Sequence, residues 1–369
     1  MHIGIDARLI YYTDAGISQY TLRLIQGLAQ IDQEDEFLVL RDRRDSLTIT
    51  DNNHFKRINL WTPSHHRLEQ WGLRFELPSL GLDLLHSPDF IPPFHRHFKS
   101  VITIHDLAFL LYPHFLTQDS ACYYGQIDQA VKSTDHIIAV SESTKQDTIR
   151  LLGVPESKIS VIYEAANPLY HPMDRDQARA YVRRAYELEE YLLFVSTIEP
   201  RKNLPTLLHA FRALRDQYKV KTVLAVVGRR GWLSEGAFAL VEKLRLKDRV
   251  RFLGQVPLED LVYLYNGAQA LVHPSFYEGF GLSPLEAMLC GAPVICSNVS
   301  ALPEVVGDAA LLVAPEEISE WTVAMWRVLH DQELWAEMKA KGYRRAQCFS
   351  VEKTARQTLE VYRRVIAEG

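Results

Sequence analysis

The sequence predicts an α/β protein with two Rossmann-like, doubly wound parallel-sheet domains, on three observations. At 369 residues the chain is long for one domain and suits two of ordinary size. Apolar runs of strand length alternate with segments of helical periodicity, the pattern of parallel sheets covered by helices. The alternation breaks once, at residues 165–190 (AANPLYHPMDRDQARAYVRRAYELEE), where two prolines precede a highly charged helical stretch and no strand occurs. That segment reads as the linker between domains followed by the first helix of the second.

In the first half, Met1–Ala7 (MHIGIDA) is a strand candidate. Gly16-Ile17-Ser18-Gln19-Tyr20 opens a helix whose apolar positions Tyr20, Leu24, Ile25 and Leu28 share one face, ending at Gln30. The turn at Gly16 lacks the G-x-G-x-x-G spacing, so a dehydrogenase fingerprint is missing. Further strands are predicted at Phe37–Leu40, Arg57–Leu60, Leu84–His86, Val101–Ile104 and Ile137–Val140. In a doubly wound sheet ligands collect at the carboxyl ends of the strands. That singles out His105-Asp106, directly after Val101–Ile104, and Ser141-Glu142-Ser143-Thr144, after Ile137–Val140. The second group reads as a helix cap supplied by Ser141 or Ser143.

The second half restarts with a strand over Tyr191–Ser196, which runs into Thr197-Ile198-Glu199-Pro200-Arg201-Lys202-Asn203. A helix begins at about Pro205 with Leu208, Phe211 and Leu214 on one face. Adjacent cations at a strand-to-helix turn suit a phosphate, because arginine offers a planar fork and lysine a point charge. Val223–Val227 ends at Gly228-Arg229-Arg230-Gly231, and Val250–Leu253 is followed by Gly254-Gln255-Val256-Pro257. Ala268–Val272, Pro293–Cys296 and Leu311–Val313 complete the second sheet, with Leu302-Pro303-Glu304 as a turn and short helix. From Ser350 onward, Val351, Ala355, Leu359, Tyr362 and Ile366 form one helical stripe.

Pro274–Leu289 (PSFYEGFGLSPLEAML) is where the chain stops resembling generic α/β patterning. Glu278 and Glu286 stand eight residues apart around Gly279-Phe280-Gly281-Leu282 and Ser283-Pro284. Ser283 reads as a helix N-cap, Pro284 as the first helical residue and Glu286 as the third, a capping box. Free amides and the positive end of the helix dipole then lie beside Gly281, where the backbone can approach a diphosphate. A carboxylate is a poor neighbour for phosphate but a good bidentate acceptor for vicinal hydroxyls. Two flanking carboxylates therefore favour a nucleotide-sugar, with hexose at one end, ribose at the other and diphosphate between. Glu286 is also explained as a cap, whereas Glu278 has no structural task visible in the sequence.

The E-x7-E spacing after an HPS-x-x-E-G-F-G-L run resembles the retaining glycosyltransferases of the GT-B fold, family 4, and the resemblance covers nearly the whole chain. It implies two domains facing a cleft: residues 1–168 on the acceptor side, 169–349 holding the nucleotide-sugar, and a helix over 350–369 crossing back to the first. It implies that Glu278 holds hexose hydroxyls, that Glu286 holds the ribose, and that Arg201 and Lys202 neutralise the departing diphosphate. The amide of Gly16 would face the same diphosphate, although a glycine serving only its turn explains that residue equally. The base would lie along the edge of Gly228 and Val256 and be read partly by backbone groups, so the sequence does not name it. His105 would lie near the transferred hexose, oriented by Asp106. The donor site implied is Gly16, Arg201, Lys202, Gly228, Val256, Glu278, Gly279, Phe280, Gly281, Leu282, Ser283 and Glu286, with His105, Glu278, Arg201 and Lys202 catalytic. In one place the chain departs from the pattern. Many members carry an arginine after a glycine where Ser196-Thr197 stand here, which leaves open whether Arg201 takes over that charge.

The expected reaction is transfer of a hexosyl group from a nucleoside-diphosphate sugar to a hydroxyl of a glycan or lipid-linked acceptor in surface-polysaccharide or glycolipid assembly. Retention, and independence of metal or cofactor, are part of that expectation. The E-P-R-K-N variant is similar to that of many mannosyltransferases of surface-polysaccharide assembly, which places GDP-mannose ahead of UDP-glucose. A GT-B glucosyltransferase, an epimerase or phosphorylase, and a non-catalytic sugar-nucleotide sensor stand beside it. No lysine sits in a cofactor-linking context, which argues against a phosphorylase, and intact His105 and both glutamates argue against a sensor.

The totals set further bounds. A net charge of −5 with both signs interspersed argues against a nucleic-acid binder. No uncharged apolar run would span a bilayer and no secretion-signal pattern opens the chain, so a cytoplasmic location is expected. Cys122, Cys290, Cys296 and Cys348 fall in no metal or CxxC spacing and read as reduced and mostly buried. Asp174-Arg175-Asp176 matches a metal-binding D-x-D but lies in a polar connector and reads as solvated surface. Residues 63–78 (PSHHRLEQWGLRFELP) and 95–99 (HRHFK) mix basic, histidine and aromatic side chains. A solvated face explains them, and so does peripheral contact with a membrane carrying the acceptor.

Overall fold

The structure, a computed structural model, describes residues 1–13, 16–66, 68–113, 123–231 and 234–368. Cys122 and Arg67 lie outside the described residues. The chain divides into two compact units, Met1–Ala165 with Phe349–Gly369, and Ala166–Cys348.

The first unit holds seven parallel strands: β1 (His2–Asp6), β2 (Glu36–Asp42), β3 (Phe55–Leu60), β4 (Leu84–Ser87), β5 (Lys99–Ile104), β6 (His136–Ala139) and β7 (Ile159–Val161). Their order across the sheet is β3-β2-β1-β4-β5-β6-β7. The second unit holds β8 (Tyr191–Val195), β9 (Val223–Val227), β10 (Val250–Gly254), β11 (Ala270–His273), β12 (Val294–Ser297) and β13 (Ala310–Val313), in the order β10-β9-β8-β11-β12-β13. Both sheets are doubly wound, reversing direction between β1 and β4 in one and between β8 and β11 in the other. The strands read as near-continuous apolar runs because helices cover both faces; Tyr191, Leu192, Leu193 and Phe194 of β8 are all fully buried. Strand β7 is not among the predicted elements. Its three residues are too short a run to give a periodic signal, and pairing of Ile137 with Ile159 defines it.

The helix Val351–Ala367 closes the first unit, packing against the helix Gly16–Ile31. The crossing is close at Gly27, where a Cβ would come within 2.8 Å of Val351 and 2.9 Å of Ala355. Ala355, Leu359 and Tyr362 of the predicted stripe are buried there. Ser350 caps this helix through Lys353 N, and of the two candidate serines Ser141, not Ser143, caps Glu142–Leu152 through Thr144 N. Asp174 and Asp176 are exposed, but the segment is more than solvated surface. Asp174 caps the helix Arg175–Tyr186 through Gln177 N, and Arg175 lies over the Trp335 ring at 4.2 Å. Cys290 and Cys296 are buried and free, whereas Cys348 is exposed.

Candidate functional site

Sheet order puts the carboxyl ends of β8 and β11 side by side, and the candidate site of the second unit grows from those two ends. After β8 the chain makes a tight turn over Pro200–Lys202 and leaves through Asn203 in the left-handed region, φ 54°. Asn203 tolerates that conformation and uses its side-chain amide to donate to Pro274 O (3.0 Å) and Pro315 O (2.8 Å). Phe276 N donates to Arg201 O at 2.9 Å, so the two loops are tied main chain to main chain.

That tie brings together residues 76 apart in sequence. The Lys202 ammonium lies 2.7 and 2.8 Å from the two carboxylate oxygens of Glu278. Glu278 Oε1 also accepts from His273 Nε2 and from Ser275 Oγ, each at 2.7 Å. Arg201 Nη1 stands 3.9 Å from Oε2 and donates to Tyr277 O, while Arg201 Nη2 pairs with the buried Glu199 at 3.1 Å. Burial pushes the Glu278 carboxyl up, but Lys202, with His273 and Arg201, outweighs it and holds the group well below the usual carboxylate range. Glu278 therefore does have structural partners: His273 and Ser275 from its own segment, and Lys202 from the loop after β8, a contact that the sequence does not reveal. Oε1 thus already meets three donors, from Lys202, His273 and Ser275.

The start of the next helix corrects the capping-box reading. The helix is Leu282–Leu289, with Gly281 at the N-cap, φ 113°, and no side-chain cap. Pro284 is the third helical residue rather than the first, and Glu286 the fifth rather than the third. Glycine wins over Ser283 because a Cβ at Gly281 would strain the backbone and come within 2.9 Å of Leu302 Cδ2. The amides of Leu282 and Ser283 still fall in the first turn, where a helix has no internal acceptors for them. Glu286 accepts from the buried Tyr265 hydroxyl at 2.9 Å, a tertiary partner instead of its own helix end. Gly279 and Phe280 form the connection from Glu278, whose amide donates to Ser300 Oγ at 2.9 Å.

Gly228 has φ 139° and sits so close to Ser196 that a Cβ would lie 1.9 Å from its carbonyl oxygen. Its amide donates to Gly254 O at 2.8 Å, which ties the ends of β9 and β10, while Ser196 N donates to Val227 O at 3.0 Å and ties β8 to β9. Val256, half-buried, follows β10 at the head of the helix Leu258–Gly267.

Gly16 and His105 belong to the first unit. Gly16 begins its helix, is exposed, and has open space where a Cβ would be. His105 follows β5 with its ring held on both sides: Nδ1 lies 2.7 Å from Glu164 Oε1 and Nε2 2.9 Å from Pro88 O. Two acceptors require two N–H donors, hence an imidazolium. Burial lowers its pKa, but Glu164 and the Pro88 carbonyl outweigh that and raise it above the ordinary value. The carboxylate orienting His105 is thus Glu164, not Asp106. Asp106 Oδ1 accepts from Ala108 N at 2.9 Å and caps the next turn. Tyr20 packs edge-on to the His105 ring, centroids 4.8 Å apart.

His273, Ser275, Glu164 and Tyr265 are site-shaping residues that sequence reasoning missed. The H-P-S-x-x-E spacing carried a signal for the first two. Glu164 and Tyr265 carried none, since each reaches its partner across the fold.

A separate surface of the first unit is apolar and basic. On the helix Glu69–Glu76, Leu73 faces the core while Trp71 and Phe75 stand 65% and 64% exposed, with rings 4.9 Å apart. Trp61 is 71% exposed beneath the Arg43 guanidinium, 4.0 Å above its ring, and Leu68 and Arg74 are exposed beside them. Among the described residues no helix is long and apolar enough to cross a membrane.

Comparison with known proteins agrees with the fold and the motif. Residues 15–168 match the family described as Glycosyltransferase Family 4, and residues 180–345 that described as Glycosyl transferases group 1. The O-antigen chain mannosyltransferase B of Escherichia coli is 33% identical, over 96% of this chain and 97% of that protein. Sucrose-phosphate synthase from Thermosynechococcus elongatus shares the fold with a TM-score of 0.80 at 24% identity, covering 100% of both chains. Anabaena Alr3699/HepE in complex with UDP and glucose does so at 0.77 and 20%, covering 98% of each. With both parallel-sheet domains in place and a relative matched end to end, the chain belongs to glycosyltransferase family 4 and is a mannosyltransferase-like glycosyltransferase of the GT-B fold.

Proposed function

We propose that the protein transfers a mannosyl group from GDP-mannose to a hydroxyl of a glycan or lipid-linked acceptor during surface-polysaccharide assembly, with retention of configuration and without a metal ion. The observation that carries this reading is the Lys202–Glu278 pair beside Arg201, set in a chain whose end-to-end relative is named an O-antigen mannosyltransferase. In this reading Glu278 accepts a hydroxyl of the hexose, and Lys202 and Arg201 stabilise the charge that develops on the diphosphate as the anomeric C–O bond breaks. The acceptor oxygen forms the new bond on the same face and passes its proton to the departing phosphate oxygen. The amides of Leu282 and Ser283 add a fixed positive pole for that diphosphate. Glu286 would take the ribose, with Tyr265 holding its carboxylate in place.

UDP-glucose is the second reading, favoured by the UDP-glucose held in the Anabaena structure of the same fold. A nucleotide-sugar panel decides between them. GDP-mannose is expected to raise the melting temperature by mass action and to release GDP only when acceptor is present. A larger shift with UDP-glucose would favour the second donor, and sugar release or epimer formation without acceptor would sink the transferase reading. The exposed Trp61, Trp71 and Phe75 among arginines support peripheral contact with an anionic membrane surface, where a lipid-linked acceptor would be found.

A further inference from the structure

The Glu278 carboxylate is not symmetric in its surroundings. Oε1 receives three donors, from Lys202, His273 and Ser275, all at 2.7 Å. A carboxylate oxygen has two lone-pair directions, so Oε1 is saturated. Oε2 receives Lys202 at 2.8 Å and has Arg201 at 3.9 Å, which leaves it room for one more donor.

Two of the three Oε1 donors come from the turn after β11. His273 is the last residue of that strand, its ring 2% exposed, and Ser275 is fully buried two residues on. Ser275 Oγ also lies 3.1 Å from His273 Nε2, so His273, Ser275 and Glu278 form a closed triangle. The other ring nitrogen, Nδ1, is buried and, among the described residues, has no hydrogen-bond partner. A bare ring nitrogen without a donor costs less in the interior than an N–H without an acceptor. An N–H therefore sits on Nε2, where it points at Glu278. Among the described residues the ring's polar contacts are this carboxylate and its serine.

We propose that His273 and Ser275 are positioning residues that lock the Glu278 carboxylate through Oε1, so that Oε2 alone is offered to a substrate hydroxyl. The proposal rests on the reading of Glu278 as the hexose-binding carboxylate and sharpens it. The site selects a sugar by one hydroxyl at this carboxylate rather than by a vicinal pair. A site built to pair a substrate hydroxyl discriminates strongly against the analogue lacking it.

Two measurements test this, one of which needs no donor. In crystal structures of the free His273→Leu and His273→Gln proteins, the carboxylate is expected to turn away in the first and stay in the second, since glutamine carries an N–H donor near the position of Nε2. An unmoved carboxylate in His273→Leu overturns the proposal whatever the donor. The second measurement compares kcat/KM for GDP-mannose with its 3-, 4- and 6-deoxy analogues, using the UDP-glucose series if the panel selects that donor. Wild type is expected to lose about 100-fold for one position and under about 5-fold for the others. His273→Leu and Ser275→Ala are expected to flatten that preference, with His273→Gln restoring it. Equal preference in wild type and His273→Leu, or large losses at two adjacent positions in wild type, overturns the proposal. Should neither donor turn over, the functional reading fails while the crystallographic test still decides the role of His273.

Discussion

The hydroxyl of Tyr362 lies 2.6 Å from Nδ1 of His86, joining the terminal helix to the middle of the first sheet across 276 residues of chain. His86 is fully buried in β4, and its Nε2 lies 2.8 Å from Thr103 Oγ1 on β5. Both polar ends of the imidazole are satisfied only while the terminal helix is docked. Tyr362→Phe is therefore expected to destabilise the first unit by about 1–3 kcal/mol, the cost of a buried polar atom losing its partner. Urea unfolding followed by tryptophan fluorescence measures it, and a midpoint equal to wild type would show that this contact contributes nothing.

The same histidine makes stability depend on pH. Burial, with a smaller contribution from the charge on His105, pushes His86 down to about 3 from 6.5. The unfolded chain takes up its proton below about pH 6.5 and the folded chain does not, so this stability is full above pH 6.5 and is lost as pH falls toward 3. The loss runs at about 1.4 kcal/mol per pH unit. His136, pushed down to about 4 by burial and Arg364, adds in the same direction. His105 and His65, held above their ordinary values despite burial by Glu164 and Asp89, act in the opposite one. Comparison of wild type with His86→Gln from pH 7 to 5 isolates the first effect. The stability difference is expected to shift in favour of the variant as pH falls, and a constant difference would contradict the buried neutral imidazole.

Removing Lys202 should change the pH dependence of activity as well as its size. Lys202→Met is expected to lower kcat/KM about 100- to 1,000-fold, the usual effect of losing one preorganised charge at a reacting centre. Lys202 is the leading force holding Glu278 ionised against burial, so the carboxyl pKa should rise in the variant. An acid limb absent from wild type is then expected in the kcat/KM profile of Lys202→Met. Glu278→Ala should lose activity to a similar degree with an unchanged circular dichroism spectrum and no such limb.

The aromatic surface of the first unit gives a prediction about location. Trp71→Ala with Phe75→Ala should reduce co-sedimentation with vesicles containing anionic lipid about tenfold or more, leaving transfer to a water-soluble acceptor unchanged. Equal binding of variant and wild type would remove the membrane from the functional reading.

Gly228 offers a test of the second sheet. Gly228→Ala places a Cβ 1.9 Å from the Ser196 carbonyl at φ 139°, so both space and backbone oppose it. A loss above about 3 kcal/mol is expected, seen as a lower thermal midpoint. A soluble protein with the wild-type midpoint would mean that β8 and β9 do not meet as described.

The sequence alone determined what depends on near neighbours. The alternation of apolar runs and helical stripes gave two parallel sheets, with Val223–Val227 correct at both ends, and a serine cap at Ser141 or Ser143 followed from serines beside a helical run, of which the structure uses Ser141. The cations at Arg201-Lys202 and the E-x7-E spacing were equally legible, because each is a local pattern of charge. Tertiary structure decided which of these groups meet. Strand order sets β11 beside β8, and only that neighbourhood joins Lys202 to Glu278. It also replaced Asp106 by Glu164 at His105 and put Gly281 rather than Ser283 at the helix start. A side chain's partner is fixed by whichever loop the sheet brings alongside, and periodicity within a few residues carries no information about that.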